Sequence, residues 1–582
     1  MTVRCWVGLL AAASLATAVN AEMLLNPWRG ITDLESRVNR REERLQAQID
    51  QYTRAGAFPK VWRSLHSKIR EANAFLEREM AKEEQRGVGA SVAIVYEDEV
   101  VLSKGYGLRL ANDSSSKVES TTSFQIGSVT KTFVSIGLAI LIEEGKLAWN
   151  DPVKKHLPWL ELYDKYAEQY VTIGDLAAMN SGLDSLTDLA LFFGKYRSDE
   201  EQVRALKFVE PPHSLRGGHD YANVNFSILG LVIEAISGKP WEEFLRERIW
   251  EPLGMTRTFG SAFEARDDDD ISYGHYVCGG KTLGPYSLVD DPETQLVGKE
   301  HGNRIAAGSV LSSSDDLATL LRLILNKGVV DGVTILNSTA TISEMVTGKY
   351  AVNQEFLDMF AIEGHQYFAD GNTLASGYGF DYVGHAQWGH AYFDKSGDTT
   401  VHVTRTGFAP DAKLGVVVVS NSQTPDGHFS YPLDHIRSYL MGIFLDVPRE
   451  ILEFSYRKWR QGDKLVPQLE GTPACGIRFW DNPSFTPLSD DEQAALAGKY
   501  VATTSPGYFE SLEILRKEDG SGLAMHYGEI SADLHYFSDI DNTTRSFIWS
   551  YDPLPQFSLI TATDDGSFDI NFGVTFHGPS SD

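Results

Sequence analysis

Cysteine is nearly absent, with three in 582 residues, at positions 5, 278 and 475. So few cannot staple a chain of this length, which excludes a disulfide-built fold. Positive charge is also short: 52 Lys and Arg face 80 Asp and Glu, a formal net charge of −28. Such a surface repels phosphate backbones, so nucleic acid is not an expected partner. Long hydrophobic runs are missing too. The apolar stretch Val7–Ala18 is too short to span a bilayer, and no membrane span is expected. With Arg4 before it and Val19-Asn20-Ala21 after it, that stretch reads as a secretory signal over residues 1–21, an uncleaved anchor being the alternative. The mature chain is then secreted and extracellular, and keeps only Cys278 and Cys475, which permit one disulfide. Neither a His-Glu-x-x-His zinc helix nor a Gly-x-Ser-x-Gly nucleophile elbow occurs. His385 and His390 stand five apart, off any single helical face, so no metal and no cofactor are implied.

What is present describes an ordinary soluble protein, 42% hydrophobic and 23% charged, long enough for two or three domains. Residues 22–85 carry helical spacing. Ala90–Tyr96 and Val100–Ser103 flank a charged turn and predict a hairpin. From Phe124 the period changes to an apolar helix ending near Gly145, and a mostly helical stretch runs to about residue 330. Strands return near residue 395 and end in the buried run Leu414–Ser420, after which Pro432–Met441 is helical. Strand, helices and strand bracket one large domain over 86–445. Residues 446–485 show no clean period and read as a connector. From 486 to 582 short strands at regular spacing predict a small all-β barrel or sandwich. Sequons at Asn112, Asn225, Asn337 and Asn542 permit glycosylation, with Asn225 set in an apolar helical stretch. Asp267–Asp270 lacks the alternation and glycine of a calcium loop and reads as solvated.

Three segments carry chemistry. In Ser128-Val129-Thr130-Lys131, helical spacing puts the amine within reach of the hydroxyl. A serine needs a base to become a nucleophile, and a lysine is a base only when burial or nearby positive charge lowers its pKa. The apolar helix that follows supplies burial. Ser114…Lys117 and Ser455…Lys458 share the spacing but open no apolar helix. Tyr221-Ala222-Asn223 precedes a second apolar helix: a phenol can shuttle protons and an amide can orient substrate, though the pair could equally cap the helix. Lys395-Ser396-Gly397 offers a cation for a substrate carboxylate and a glycine that lets an acyl group approach the backbone. Arg405-Thr406-Gly407 is a rival, seven residues from the strand at Leu414 and so expected at a strand end.

Together these motifs resemble those of the penicillin-recognising serine hydrolases, most of all the class C β-lactamase and D-alanyl-D-alanine carboxypeptidase-like peptidases and esterases. Val171–Leu176, Asn180–Leu183, Glu251–Met255, Ala306–Ser309 and the run from Lys395 to Val416 resemble further family segments, so the likeness spans about 86–445. The resemblance implies an α/β (α+β) β-lactamase/transpeptidase-like domain, its antiparallel sheet flanked by helices, with a helical subdomain. The terminal β-domain resembles a lipocalin-like module. By the same resemblance, Ser128 is acylated, Lys131 and Tyr221 handle protons, Asn223, Lys395, Ser396 and Gly397 bind substrate, and the backbone N–H groups of Ser128 and Asp398 form the oxyanion hole. Asp398 and the bulk after it depart from the small residues of β-lactamases and should alter the acyl pocket. The expected activity is acyl-enzyme hydrolysis of peptides or amides, carboxypeptidase- or aminopeptidase-like and including D-amino-acid substrates, with a free carboxylate near Lys395. The alternatives are a carboxylesterase and a non-catalytic binding protein that keeps the fold. The expected partner is a small-molecule or peptide substrate; the oligomeric state stays open.

Overall fold

The computed structural model describes residues 27–82, 88–278, 281–289, 305–352, 374–423, 431–462, 488–528, 530–539, 544–550, 557–563, 567–570 and 574–578. The signal reading, Cys475 and Asn542 lie outside these residues.

The run Leu414–Ser420 alternates Val and Gly between two faces, and both are covered. Val417 and Val419 join Ala93 and Val95 in one core, while Val416 and Val418 join Val92 and Ile94 in another. A strand buried on both sides needs no polar face, which is why it reads as an unbroken apolar run. It pairs antiparallel with Gly89–Tyr96 on one edge and Val403–Ala409 on the other. Among the described residues the sheet has nine strands, ordered Glu99–Gly107, Gly89–Tyr96, Leu414–Ser420, Val403–Ala409, His390–Asp394, Tyr382–Gln387, Ala375–Ser376 and Tyr350–Ala351. The ninth, Ser396–Asp398, pairs with Val403–Ala409. Every pairing in this sheet is antiparallel.

One sheet face carries Leu65–Met80, Tyr431–Phe444 and Arg449–Gly462, where Phe75 stacks on Tyr439 with ring centroids 3.9 Å apart. The last of these helices corrects the connector reading over 449–462, while residues 463–485 lie outside the described residues. Leu452, Tyr456 and Trp459 do form an apolar stripe, but the charges interleaved from Arg449 to Arg460 conceal it. The decoy Ser455…Lys458 therefore lies on a helix. On the other face stand the wholly buried helix around Thr130–Leu141 and the helix Val224–Ser237. The middle of the chain is not purely helical: Gly274–Cys278 and Lys281–Tyr286 form a hairpin. Nor is Asp267–Asp270 merely solvated, because Asp268 pairs with Arg257 and Asp270 accepts from Thr121 and Thr122. Of the sequons, Asn225 is fully buried, which closes it to glycosylation.

Eight strands between Gly498 and His577 close into an antiparallel barrel in sequential order. It is not appended loosely. The short helix Pro506–Phe509 inserts Tyr508 into the helical region of the large domain, where its phenol donates to Thr187 O (3.1 Å) and accepts from Gln202 Nε2 (2.9 Å). Tyr196 Oη donates to Tyr508 O at 2.7 Å, and Ser505 Oγ accepts from Glu210 N at 2.9 Å. Replacing Tyr508 by Phe keeps the packing but removes the closer donor to Thr187 O and leaves Gln202 Nε2 only its 3.4 Å contact with that carbonyl. The variant should lose about 1–3 kcal/mol, measured as a lowered denaturant midpoint.

Candidate active site

Ser128 lies in a single 3-10 turn, Gly127–Val129, directly before the buried helix Thr130–Glu143. The turn is pinned from outside: Phe124–Gln125 pairs with Leu311–Ser312, and Ile126 N donates to Val310 O at 2.9 Å. One turn on, Lys131 is fully buried, and its Nζ lies 2.9 Å from Ser128 Oγ, 2.7 Å from Asn223 Oδ1 and 2.7 Å from Ala307 O. The last two are carbonyl oxygens and can only accept. They take two amine hydrogens, which leaves the lone pair of a neutral Lys131 facing the Ser128 hydroxyl. Burial drives the Lys131 pKa well below the ordinary lysine value, and the nearby Lys395 charge lowers it further, against opposing pulls from Asp381 and Asp188.

Asn223 occupies the N-terminal boundary of the helix Val224–Ser237, yet its side chain caps nothing. Its carbonyl meets Lys131, and its Nδ2 donates to Asp188 Oδ2 at 2.7 Å. Helix capping therefore does not account for this residue. Asp188 is buried, and burial pushes its carboxyl up to about 7. Tyr221 Oη donates to Ser128 Oγ at 2.8 Å and accepts from Lys395 Nζ at 3.3 Å. Burial raises the Tyr221 phenol to about 12, while Lys395 works to lower it, so Tyr221 is a neutral donor at physiological pH.

Two glycines let the strand Ser396–Asp398 touch the turn that carries Ser128. A Cβ on Gly397 would come 2.0 Å from Ile126 O and 3.0 Å from Ser128 N. Gly127, at φ +53°, has no room either, since a Cβ there would lie 2.9 Å from Asp398 N. The backbone N–H groups of Ser128 and Asp398 thus belong to two segments in direct contact. The Asp398 carboxylate does not stand free beside them: Arg405 Nη1 and Nη2 donate to it at 2.8 and 3.1 Å. Arg405 in turn binds Asp434 through Nε at 2.7 Å. The rival motif Arg405–Gly407 lies mid-strand in Val403–Ala409, not at a strand end as expected. A Cβ on its Gly407 would meet Arg437, Tyr392 and Met441, away from Ser128.

The fold thus gathers Ser128, Lys131, Tyr221, Asn223 and Lys395, drawn from three distant segments, into one hydrogen-bonded cluster. Two carboxylates at the site escaped the sequence reading. Asp188 and Asp381 belong to no motif, and only folding brings them beside Asn223 and Lys395. His385 is buried and its pKa falls to about 3, whereas His390 pairs with Asp411.

A family profile described as Beta-lactamase matches residues 67–440. Protein flp of Staphylococcus aureus (strain N315) is 29% identical over 240 residues, which is 41% of this chain and 45% of its own length. The Unguisins hydrolase ungD' of Aspergillus campestris is 28% identical over 250 residues, 41% of this chain and 44% of its own. The chain therefore spans somewhat under half the length of the curated relatives it matches. Among solved structures, an octameric penicillin-binding protein homologue from Pyrococcus abyssi superposes with a TM-score of 0.52 at 21% identity, covering 87% of this chain and 99% of that one. EstCE1, a hydrolase with promiscuous acyltransferase activity, gives 0.51 at 18%, covering 64% and 98%. At such identities these two speak to the fold alone. With the profile covering most of the large domain, the chain belongs to the beta-lactamase family, whose fold is that of serine hydrolases.

Proposed function

We propose that this protein is a secreted serine hydrolase that cleaves peptide or amide bonds through an acyl-enzyme on Ser128. The observation that carries the reading is the orientation of Lys131, whose amine is fixed by two carbonyl acceptors so that its free electron pair meets the Ser128 hydroxyl. Secretion rests on the character of residues 1–21.

The geometry permits a balanced proton path. Ser128 Oγ attacks the substrate carbonyl as its proton passes to Lys131, forming the C–O bond and an ammonium. The N–H groups of Ser128 and Asp398 face the developing oxyanion. As the C–N bond breaks, Tyr221 protonates the leaving amine, and the proton held by Lys131 restores the phenol. Lys395 steadies the phenolate in between. Water then reverses the sequence to release the acid. A binding protein would need no buried amine aimed at a hydroxyl, because a buried lysine costs free energy that binding does not require.

Replacing Ser128 by Ala should abolish labelling by a fluorophosphonate probe; undiminished labelling would sink the acyl-enzyme. Lys131→Ala and Tyr221→Phe should each slow turnover about 10²–10⁴-fold, scored on a panel of amino-acid amides, dipeptides and nitrophenyl esters. The panel also separates amide from ester hydrolysis.

The labelling rate should depend on pH with a definite sign. It requires neutral Lys131, so it should rise with pH and reach its plateau well below the range of an ordinary lysine. Ionisation of Tyr221 should bring no decline until pH nears 12. A rate still climbing through pH 10 would contradict the base assigned to Lys131.

A further inference from the structure

Lys395 brings an ammonium to the cleft, and the expectation was that a substrate carboxylate would meet it. That ammonium already has a carboxylate. Asp381 Oδ1 lies 2.5 Å from Lys395 Nζ, while Asp381 Oδ2 accepts the backbone N–H of Ser396 at 3.0 Å. Both oxygens are used along one short stretch, so Asp381 cannot turn aside without leaving the Ser396 N–H unmet. The pair is deeply set, with side-chain exposures of 2% for Lys395 and 12% for Asp381.

The loop that carries Asp381 is fixed from behind. Asp381 N donates to Asp394 O at 3.2 Å, and Thr132 Oγ1, on the Ser128 helix, donates to Gly379 O at 2.9 Å. The ion pair is therefore referenced to the same helix that presents the nucleophile. Nor can Asp398 take over as the counter-ion, because Arg405 holds it with two hydrogen bonds. A second carboxylate arriving at Lys395 would compete with Asp381 for one ammonium whose charge Asp381 already offsets, and would meet that like charge at short range. A built-in repulsion of this kind is a means of specificity, acting against one substrate class and sparing another.

We propose that Asp381 is the specificity-determining residue of this cleft: by neutralising Lys395 it turns away substrates whose leaving group ends in a carboxylate and admits those whose leaving group is neutral, a carboxamide or an alkyl amide. The inference rests on the acyl-enzyme reading and narrows it from carboxypeptidase-like to amidase-like chemistry.

The test uses the full chain and matched pairs of N-acetyl dipeptides, D and L, each with a free C-terminal carboxylate or a C-terminal carboxamide. The wild type should favour the carboxamide at least tenfold in kcat/KM. Asp381→Asn should shrink that ratio tenfold or more, chiefly through KM for the acid. Asp381→Ser, which removes the carboxylate with a smaller polar side chain, should do the same if the first variant folds poorly. A wild type that prefers the acid or shows no preference overturns the proposal. So does an unchanged ratio in variants that still label at Ser128. To separate this from a failure of the hydrolase reading, the same pairs are titrated calorimetrically into Ser128→Ala. Tighter uptake of the carboxamide, reversed or erased by adding Asp381→Asn, supports Asp381 even if no acyl-enzyme forms; equal uptake, or none of either ligand, overturns it.

Discussion

A buried amine whose hydrogens are already committed is the constraint around which the rest of the large domain is arranged. Water would satisfy Lys131 in any orientation, whereas its hydrogen-bond partners among the described residues are Asn223 Oδ1, Ala307 O and Ser128 Oγ. Each lies on a different segment, so satisfying one side chain fixes the relative placement of three. The Ala306–Ser309 stretch reaches the site through its backbone, where the Ala307 carbonyl aims the amine. Asn223, which looks like a cap at a helix start, gives up capping to serve the same end, and Asp188 holds its amide from behind.

Around this point the domain solves a second problem, bringing two polar backbones together in a dry interior. Gly127 and Gly397 do so by omission, since a Cβ on either would collide with the opposite strand or turn. The contact holds because the strand carrying Gly397 is fixed to Val403–Ala409, which is in turn the neighbour of the doubly covered Leu414–Ser420. Beneath it Arg405 joins Asp398 to Asp434, and Arg437 joins Asp434 to the same network at 2.9 Å. Alternating charges placed this way are buried without being left unpaired, which is the condition for tolerating them in a core.

Much of this was legible beforehand because its signals are local. The hairpin at residue 90, the apolar helix after Ser128, the valine-rich strand and the barrel strands each announce themselves by period and residue type. The spacing of Ser128 and Lys131 is a property of one helical turn, and Tyr221 and Lys395 stand in recognisable short motifs. What could not be read is long-range. Nothing near Asp188 or Asp381 marks either as part of the site, since their significance lies in which residue they meet after thirty-five and fourteen positions of chain. The helix Arg449–Gly462 was hidden for a different reason: its apolar stripe is narrow and its solvent face densely charged. The fate of Asp398 was illegible too, because its partner Arg405 is reached across a strand pair and not along the sequence.

The insertion of Tyr508 has a consequence for how the molecule comes apart. Its ring is fully buried, and the apolar interior of the barrel is continuous with the core that surrounds the Ser128 helix. Two modules joined by a tether melt separately, each at its own temperature. Modules that share one interior lose cooperativity only when that interior is breached, so heat should dissolve barrel and hydrolase together in a single endotherm.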